Sequence, residues 1–320
     1  MRFTLLIMFC VVAAVLSLSI GALHIPLGDL LPALFGSGNE IHITIMQDLR
    51  APRTVLALFI GAGLGASGAA LQGFTRNPLA DPGILGFSAT AALGAVLALY
   101  FGHQNLVTPA ALTGAGLGAG LLLAMAGRRQ GATVLILAGV GIGALATSLT
   151  GLLMNFAPNP WALSEIIYWL MGSLRNANFD AAVLCGVLTL VGLLCLFWAG
   201  PDLRTLSLGE DTAKSLGVSL GHLRLLLVIG VALCVGAGVA AAGAIGFIGL
   251  FIPHILRGLF GADPAKLIPL SAVGGAGFLV LADSGVRLLS TNGTVLYLGI
   301  LSALIGAPFF IWLAFKAGRS

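Results

Sequence analysis

Long apolar stretches separated by short polar breaks run through the whole chain. They fall at about residues 4–22, 52–73, 84–101, 107–126, 133–155, 180–199, 223–242, 244–260, 267–286 and 295–315. A helix that crosses a bilayer needs roughly 20 mostly apolar residues. The pattern therefore predicts an all-α chain of about ten transmembrane helices. Little is left for a soluble domain, so residues 1–320 read as one membrane domain. One polar interruption stands out. Residues 201–224 carry Asp202, Glu210, Asp211, Lys214 and Arg224 between two long apolar runs. Such an island predicts a surface that another protein grips.

Composition agrees with lipid as the solvent. Only 8% of residues are charged and 58% are hydrophobic, and the mean hydropathy is +1.08, values that belong to polytopic membrane proteins. Lys and Arg set the orientation. With the N-terminus inside, the inner side receives Arg2, Arg76, Arg128, Arg129, Arg204, Lys214, Arg224, Arg257, Lys266, Lys316 and Arg319. The outer side receives only Arg50, Arg53, Arg175 and Arg287. Both termini are then expected in the cytoplasm. The net charge of +4 reflects this bias, and no basic patch suggests nucleic acid. Residues 1–22 resemble a signal peptide, but the apolar run is long enough to span and no small-x-small cleavage site follows. They read as the first helix. Cys10, Cys185, Cys195 and Cys234 lie inside spans without CxxC spacing and read as packing residues.

Glycine recurs at helical spacing. Gly61/Gly65, Gly114/Gly118, Gly116/Gly120 and Gly139/Gly143 are small-xxx-small pairs that let helix backbones approach closely in lipid. Residues 63–68 also match GxGxxG, but no strand precedes them. Residues 209–215 faintly resemble a phosphate-binding loop, yet Ala213 replaces the required Gly before Lys214, and two acids would repel phosphate. No ATP site is expected on this chain. A weak echo between residues 61–73 and 236–249 suggests an inverted repeat, with chance glycine similarity as the alternative.

Three further strings carry chemistry. Arg50-Ala51-Pro52-Arg53 opens the second span, with Pro52 suited to a helix start. These arginines, and Arg287 at the outer end of span nine, could snorkel to headgroups or meet a carboxylate-bearing partner. Asp283, four residues before Arg287, could instead pair with it. Residues 76–83 interrupt two apolar helices with two prolines and polar groups, as an ordinary turn or a gate. In residues 243–257, Pro253 requires a kink or a fresh helix start. His254 beside it reads as a hydrogen-bonded packing residue, since no second ligand completes a metal site.

The strings LRAPR, SGAALQGFTRNPLADPGILG, LGEDTAKSLGVSLGHLR, GAIGFIGLFIPHILR and LIGAPFFIWL, in this order, resemble the FecCD-type permease subunits of ABC importers for ferric siderophores, haem and cobalamin. The resemblance runs from residue 45 to the end. It implies a cobalamin-importer-permease-like fold and a homodimer or pseudo-dimer of permeases. It further implies two cytoplasmic ATP-binding subunits and a periplasmic substrate-binding protein, at the bacterial inner membrane. By position, it implies docking of the binding protein at Arg50, Arg53 and Arg287. It implies ATPase coupling through Leu208, Gly209, Glu210, Asp211, Ala213, Leu216, Gly217 and Arg224. It implies a cytoplasmic gate at Asn77, Leu79, Gly131 and Ala132. The chain departs from the family before its last span. Val295-Leu296-Tyr297-Leu298-Gly299 stands where Glu-Leu-Pro-Val-Gly is usual, which puts that outer corner in question. The expected function is ATP-driven import of a metal chelate, a ferric siderophore on family frequency, with cobalamin or haem as alternatives. A secondary transporter or channel is the rival. It would normally carry ionisable residues for ion coupling within its spans, where Asp283 is the only acid beyond a stretch's first residue, Asp180. Neither catalytic residues nor cofactor are expected.

Overall fold

Apolar length and glycine spacing translate into a bundle of helices. The computed structural model describes residues 2–21, 23, 25–126, 132–290 and 295–317, with no strand among them. In chain order, α1 (Arg2–Ser19), α2 (Leu27–Leu34) and α3 (Glu40–Thr44) come first. A π-helical turn, Ile45–Arg50, then joins α3 to α4 (Ala51–Thr75). A 3₁₀ turn, Pro82–Leu85, precedes α5 (Phe87–Tyr100); α6 (Val107–Ala126), α7 (Ala132–Asn155) and α8 (Pro160–Leu170) follow. The second half holds α9 (Phe179–Leu206), α10 (Glu210–Ser215), α11 (Leu220–Ala242), α12 (Ile248–Phe260), α13 (Pro264–Leu289) and α14 (Leu298–Ala317).

Each of the ten apolar stretches carries one helix. Among the described residues, seven helical segments are long and apolar enough to cross a membrane: α1, α3–α4 as one rod, α6, α7, α9, α11 and α13. Shorter apolar helices are α5, α12 and Leu298–Leu313 of α14. Two of these, α5 and α12, follow breaks in the helical backbone. The short helices α2, α8 and α10 fall between apolar stretches, where hydrophobic length alone predicts nothing. The start of α8 was nonetheless readable: Asn159 caps it by accepting from the Ala162 amide at 2.9 Å, and Pro160 takes the first position.

At the centre, α4 packs against α13, α9, α11 and α12. Its glycines make the approach possible. A Cβ at Gly61 or Gly65 would collide with the carbonyl oxygens of Gly275 and Ser271 on α13, and one at Gly68 with that of Gly249 on α12. Gly114 and Gly118 admit Thr90 of α5 in the same way, and Gly139 meets Leu85. Gly116 and Gly120 behave differently. No neighbour among the described residues lies within 4 Å of a Cβ built on either, so this pair faces outward and meets no described helix. The GxGxxG residues 63–68 lie buried in the middle of α4.

Each half has a break in its helical backbone, and the two breaks pack together where Pro82 meets Gly249. After α4 the chain turns at Arg76, which adopts a left-handed conformation (φ 53°). After α11 it leaves the helix at Gly243 (φ 72°), runs without helix to Gly246 and turns at Phe247 (φ 69°) into α12. The fresh start required around Pro253 thus comes before it, and Pro253 itself sits inside α12. Lacking an N–H, it leaves the Gly249 carbonyl without its helical donor. Gln72 of α4 supplies long contacts to the carbonyls of Gly249 (3.5 Å) and Leu250 (3.3 Å), and accepts from Arg257 at 3.0 Å. A buried glutamine therefore ties α4 to the proline-weakened turn of α12. The suggested echo does not map onto equivalent places: residues 61–73 lie within α4, whereas 236–249 end α11 and cross the break.

Candidate functional site

At one end of the bundle, Arg50, Arg53, Arg175 and Arg287 all line one cleft of about 690 Å³. These are the four cations that the charge pattern assigns to the outer side. Three of them hold the structure together. The last carbonyls of a helix have no intrahelical partner and carry the negative end of its dipole. At the end of α1, Arg287 donates to the Ser17 and Ile20 carbonyls, both at 2.9 Å. Arg50 donates to those of Leu18 (2.7 Å) and Ser19 (3.0 Å), and also to that of Leu23. Two arginines therefore cap α1.

Arg53 has a different partner. Its Nε lies 2.9 Å from Asp283 Oδ2 and its Nη2 2.8 Å from Oδ1, a bidentate pair joining α4 to α13. Arg287 Nε approaches the same carboxylate at 3.3 Å. Asp283 is only 1% exposed and Arg50 only 4%. The sequence suggests the pair within α13 but not the one across helices, because 230 residues separate Arg53 from Asp283. The corner before α14 that departs from the family pattern is also secured. The Leu298 amide donates to Gly172 O at 3.0 Å, and Tyr297 stacks on Tyr168 of α8 with centroids 5.9 Å apart.

The gate candidates sit in an ordered turn. Asn77 Oδ1 accepts from the Leu79 amide at 2.9 Å, and the Ala80 amide returns to Asn77 O at 3.2 Å. Both side chains are exposed, Leu79 at 55%. Asp81 starts the 3₁₀ turn by accepting from the Gly83 amide at 2.7 Å. Burial pushes its carboxyl above the usual range, partly offset by that amide. Gly131 lies outside the described residues, and Ala132 begins α7. Nearby, His254 packs edge-on against Phe309 and Phe310, as a packing histidine would.

The middle of the polar island forms the short helix α10, while its ends belong to α9 and α11. Two glycines turn the chain at its ends, Gly209 at φ 110° and Gly217 at φ 90°, where a side chain would be strained. Gly217 and Val218 return amides to Lys214 O and Ala213 O, both at 3.0 Å, closing a Schellman motif. Ala213 is buried against α9, whereas Leu208, Asp211, Leu216 and Gly217 are exposed. Arg224 is buried in the first turns of α11. The eight coupling candidates thus divide. Leu208, Asp211 and Leu216 present side chains outward, Glu210 is half-buried, and Ala213 and Arg224 support from within. Beside them, Arg204 of α9 pairs with Asp263 at 2.8 Å. Burial raises the Asp263 carboxyl, but the hydrogen bond and charge of Arg204, the Ala265 amide and Lys266 together hold it below its ordinary value. The pair stays ionised at neutral pH.

Helices on all ten apolar stretches, two backbone breaks packed against each other and a short polar helix describe a multi-pass membrane protein. The model of the FecCD transport family matches residues 8–316. The chain is 38% identical to the vitamin B12 import system permease protein BtuC of Vibrio parahaemolyticus, over 96% of this chain and 93% of that one. It is 36% identical to YvrB, an uncharacterized ABC transporter permease protein of Bacillus subtilis, over 97% and 92%. Among solved structures, an inward-facing transporter described as of the metal-chelate ABC type superposes with a TM-score of 0.89 at 32% identity, covering 98% of this chain and 99% of that one. PsaBC from Streptococcus pneumoniae shares the fold at 17% identity and a TM-score of 0.54. The chain belongs to the FecCD transport family, and with it to the permeases of ABC importers.

Proposed function

We propose that this chain is the permease through which a metal chelate is driven into the cytoplasm by ATP hydrolysis on separate subunits. The observation that carries the reading is α10. It is a six-residue helix held between glycine turns, with Leu208 and Leu216 exposed on an otherwise polar loop. Exposed leucines flanking a supported helix suit insertion into a cleft on a soluble partner. Two ATP-binding subunits, a second permease copy, a binding protein on the opposite face and surrounding lipid complete the proposed assembly. The excess of Lys and Arg at the α10 end supports placing that end, and both termini, in the cytoplasm of a bacterial inner membrane.

For cargo, the expected ferric siderophore finds no support in the relatives. Several of them are named for vitamin B12, and cobalamin, itself a metal chelate, becomes the first reading. Arg50, Arg53 and Arg287 would serve docking by shaping the positively charged outer rim, since each already holds internal partners. The test is copurification. Expressed with its candidate ATPase and reconstituted in nanodiscs, the permease should retain that subunit, and hydrolysis should rise with loaded binding protein. A permease that purifies without any ATPase would contradict the reading.

The turn at Asn77–Leu79 is proposed to face a constriction that opens and closes. A cysteine at Leu79 should react with a small thiol reagent in one nucleotide state and be protected in another. Asn77→Cys should show the same contrast with faster labelling overall, because it also removes the cap on the Leu79 amide. Equal labelling in every state would reduce the segment to a connection.

A further inference from the structure

Arg175 is the one outer arginine that the helix contacts do not use. It is exposed, lines the 690 Å³ cleft with the other three, and has no side-chain ion pair among the described residues. Its backbone is nevertheless fixed. Gly172 turns at φ 72°, the Ser173 amide donates to Ala242 O at 2.7 Å, and the Arg175 amide donates to Ser173 Oγ at 3.1 Å. The arginine is therefore carried on a hydrogen-bonded turn, so that only its side chain has to be ordered on binding.

The charge around it does not balance. Four arginines line the cleft and no acid does among the described residues; Arg50 and Arg287 direct their guanidinium groups to neutral carbonyls of α1, and the one nearby carboxylate, Asp283, is buried and engaged by Arg53 and Arg287. Asp48 and Asp180 lie in the same part of the chain but are exposed and do not line the cleft. Much of the remaining wall is apolar, including Leu49, Val295 and Leu296. A cleft of one sign with low-dielectric walls concentrates ions of the other sign, and this volume lies in the range of small-molecule sites.

We propose that the outer cleft is a binding site for the anionic face of an amphipathic metal chelate, with Arg175 donating to its phosphate or carboxylate-type oxygens. The proposal rests on the permease reading and names the chemistry of its cargo. A phosphodiester, as on cobalamin, and the phenolate or carboxylate groups of an iron chelate offer the same anionic oxygen.

Equilibrium dialysis against the nanodisc-embedded permease with its ATPase tests this. Three coloured probes serve: cyanocobalamin, the iron(III) tris-catecholate trianion and the iron(II) tris-bipyridine dication. One or both of the first two should bind and weaken with added salt, and the dication should not bind. Arg175→Ala should weaken the bound anion roughly tenfold or more, the scale of a hydrogen bond to a charged group. Arg175→Glu should abolish binding, and Arg175→Lys should keep most of it. Whichever anion binds identifies the source. Binding of neither anion, equal binding of the dication, or indifference to Arg175→Glu would overturn the proposal. So would an Arg175→Glu variant that loses only binding-protein docking, because the cation would then serve a protein contact. Loss of the copurifying ATPase would instead count against the permease reading, whatever the probes do.

Discussion

Replacing Asp283 with alanine is expected to destabilise the bundle by about 3–5 kcal/mol, the scale for removing one partner of a buried ion pair. The carboxylate accepts a bidentate pair from Arg53 and a further approach from Arg287. Without it, Arg53 loses its partner in a largely buried position, whereas Arg287 keeps the carbonyls at the end of α1. The damage should therefore concentrate at the contact of α4 with α13. Asp283→Asn keeps the shape and one acceptor and should cost less. Unfolding in mixed detergent micelles would show the order wild type, Asn, Ala. Equal midpoints for all three would mean that the network carries no stability. Arg53→Ala should be nearly as harmful, because it strands Asp283 beside a single, longer contact. Assays that read these arginines only as docking residues must therefore control for folding.

The second large effect is expected at α10. Leu208→Asp together with Leu216→Asp places two acids on the exposed apolar points of the loop, leaving Ala213 and the glycine turns untouched. The permease should still fold and insert. Its ATPase should no longer copurify, and stimulation of hydrolysis by loaded binding protein should fall to the basal rate. Glu210→Ala with Asp211→Ala should have a smaller effect, since Asp211 is fully exposed and Glu210 is half-buried. Retained ATPase with full stimulation in the leucine variant would remove α10 from the coupling path.

Much of this was legible because lipid makes the signal simple. A bilayer demands long apolar segments, and all ten stretches hold helices, within a few residues at most ends. Glycine pairs were readable as contacts at Gly61, Gly65 and Gly139 because close approach requires a missing Cβ. Spacing could not say which face meets a neighbour, and Gly116 and Gly120 turned out to face outward. Short helices escaped for a related reason: α2 and α8 are too brief to show a hydrophobic period, although Asn159-Pro160 marks the start of α8. At the arginine-lined end, the arginines were readable as a set, and their partners were not. Helix-end carbonyls leave no trace in composition, and the Arg53–Asp283 pair spans most of the chain. Gln72 was invisible for the same reason. Its role follows from the amide that Pro253 lacks on another helix.

Uptake by sealed proteoliposomes tests the central claim most directly. The permease is reconstituted with its ATPase, ATP is enclosed on the α10 side, and loaded binding protein is added on the other. The account predicts chelate accumulation that requires both ATP and binding protein, and that disappears in the Leu208→Asp/Leu216→Asp variant. Accumulation driven by a proton or sodium gradient without ATP, unchanged in that variant, would contradict it.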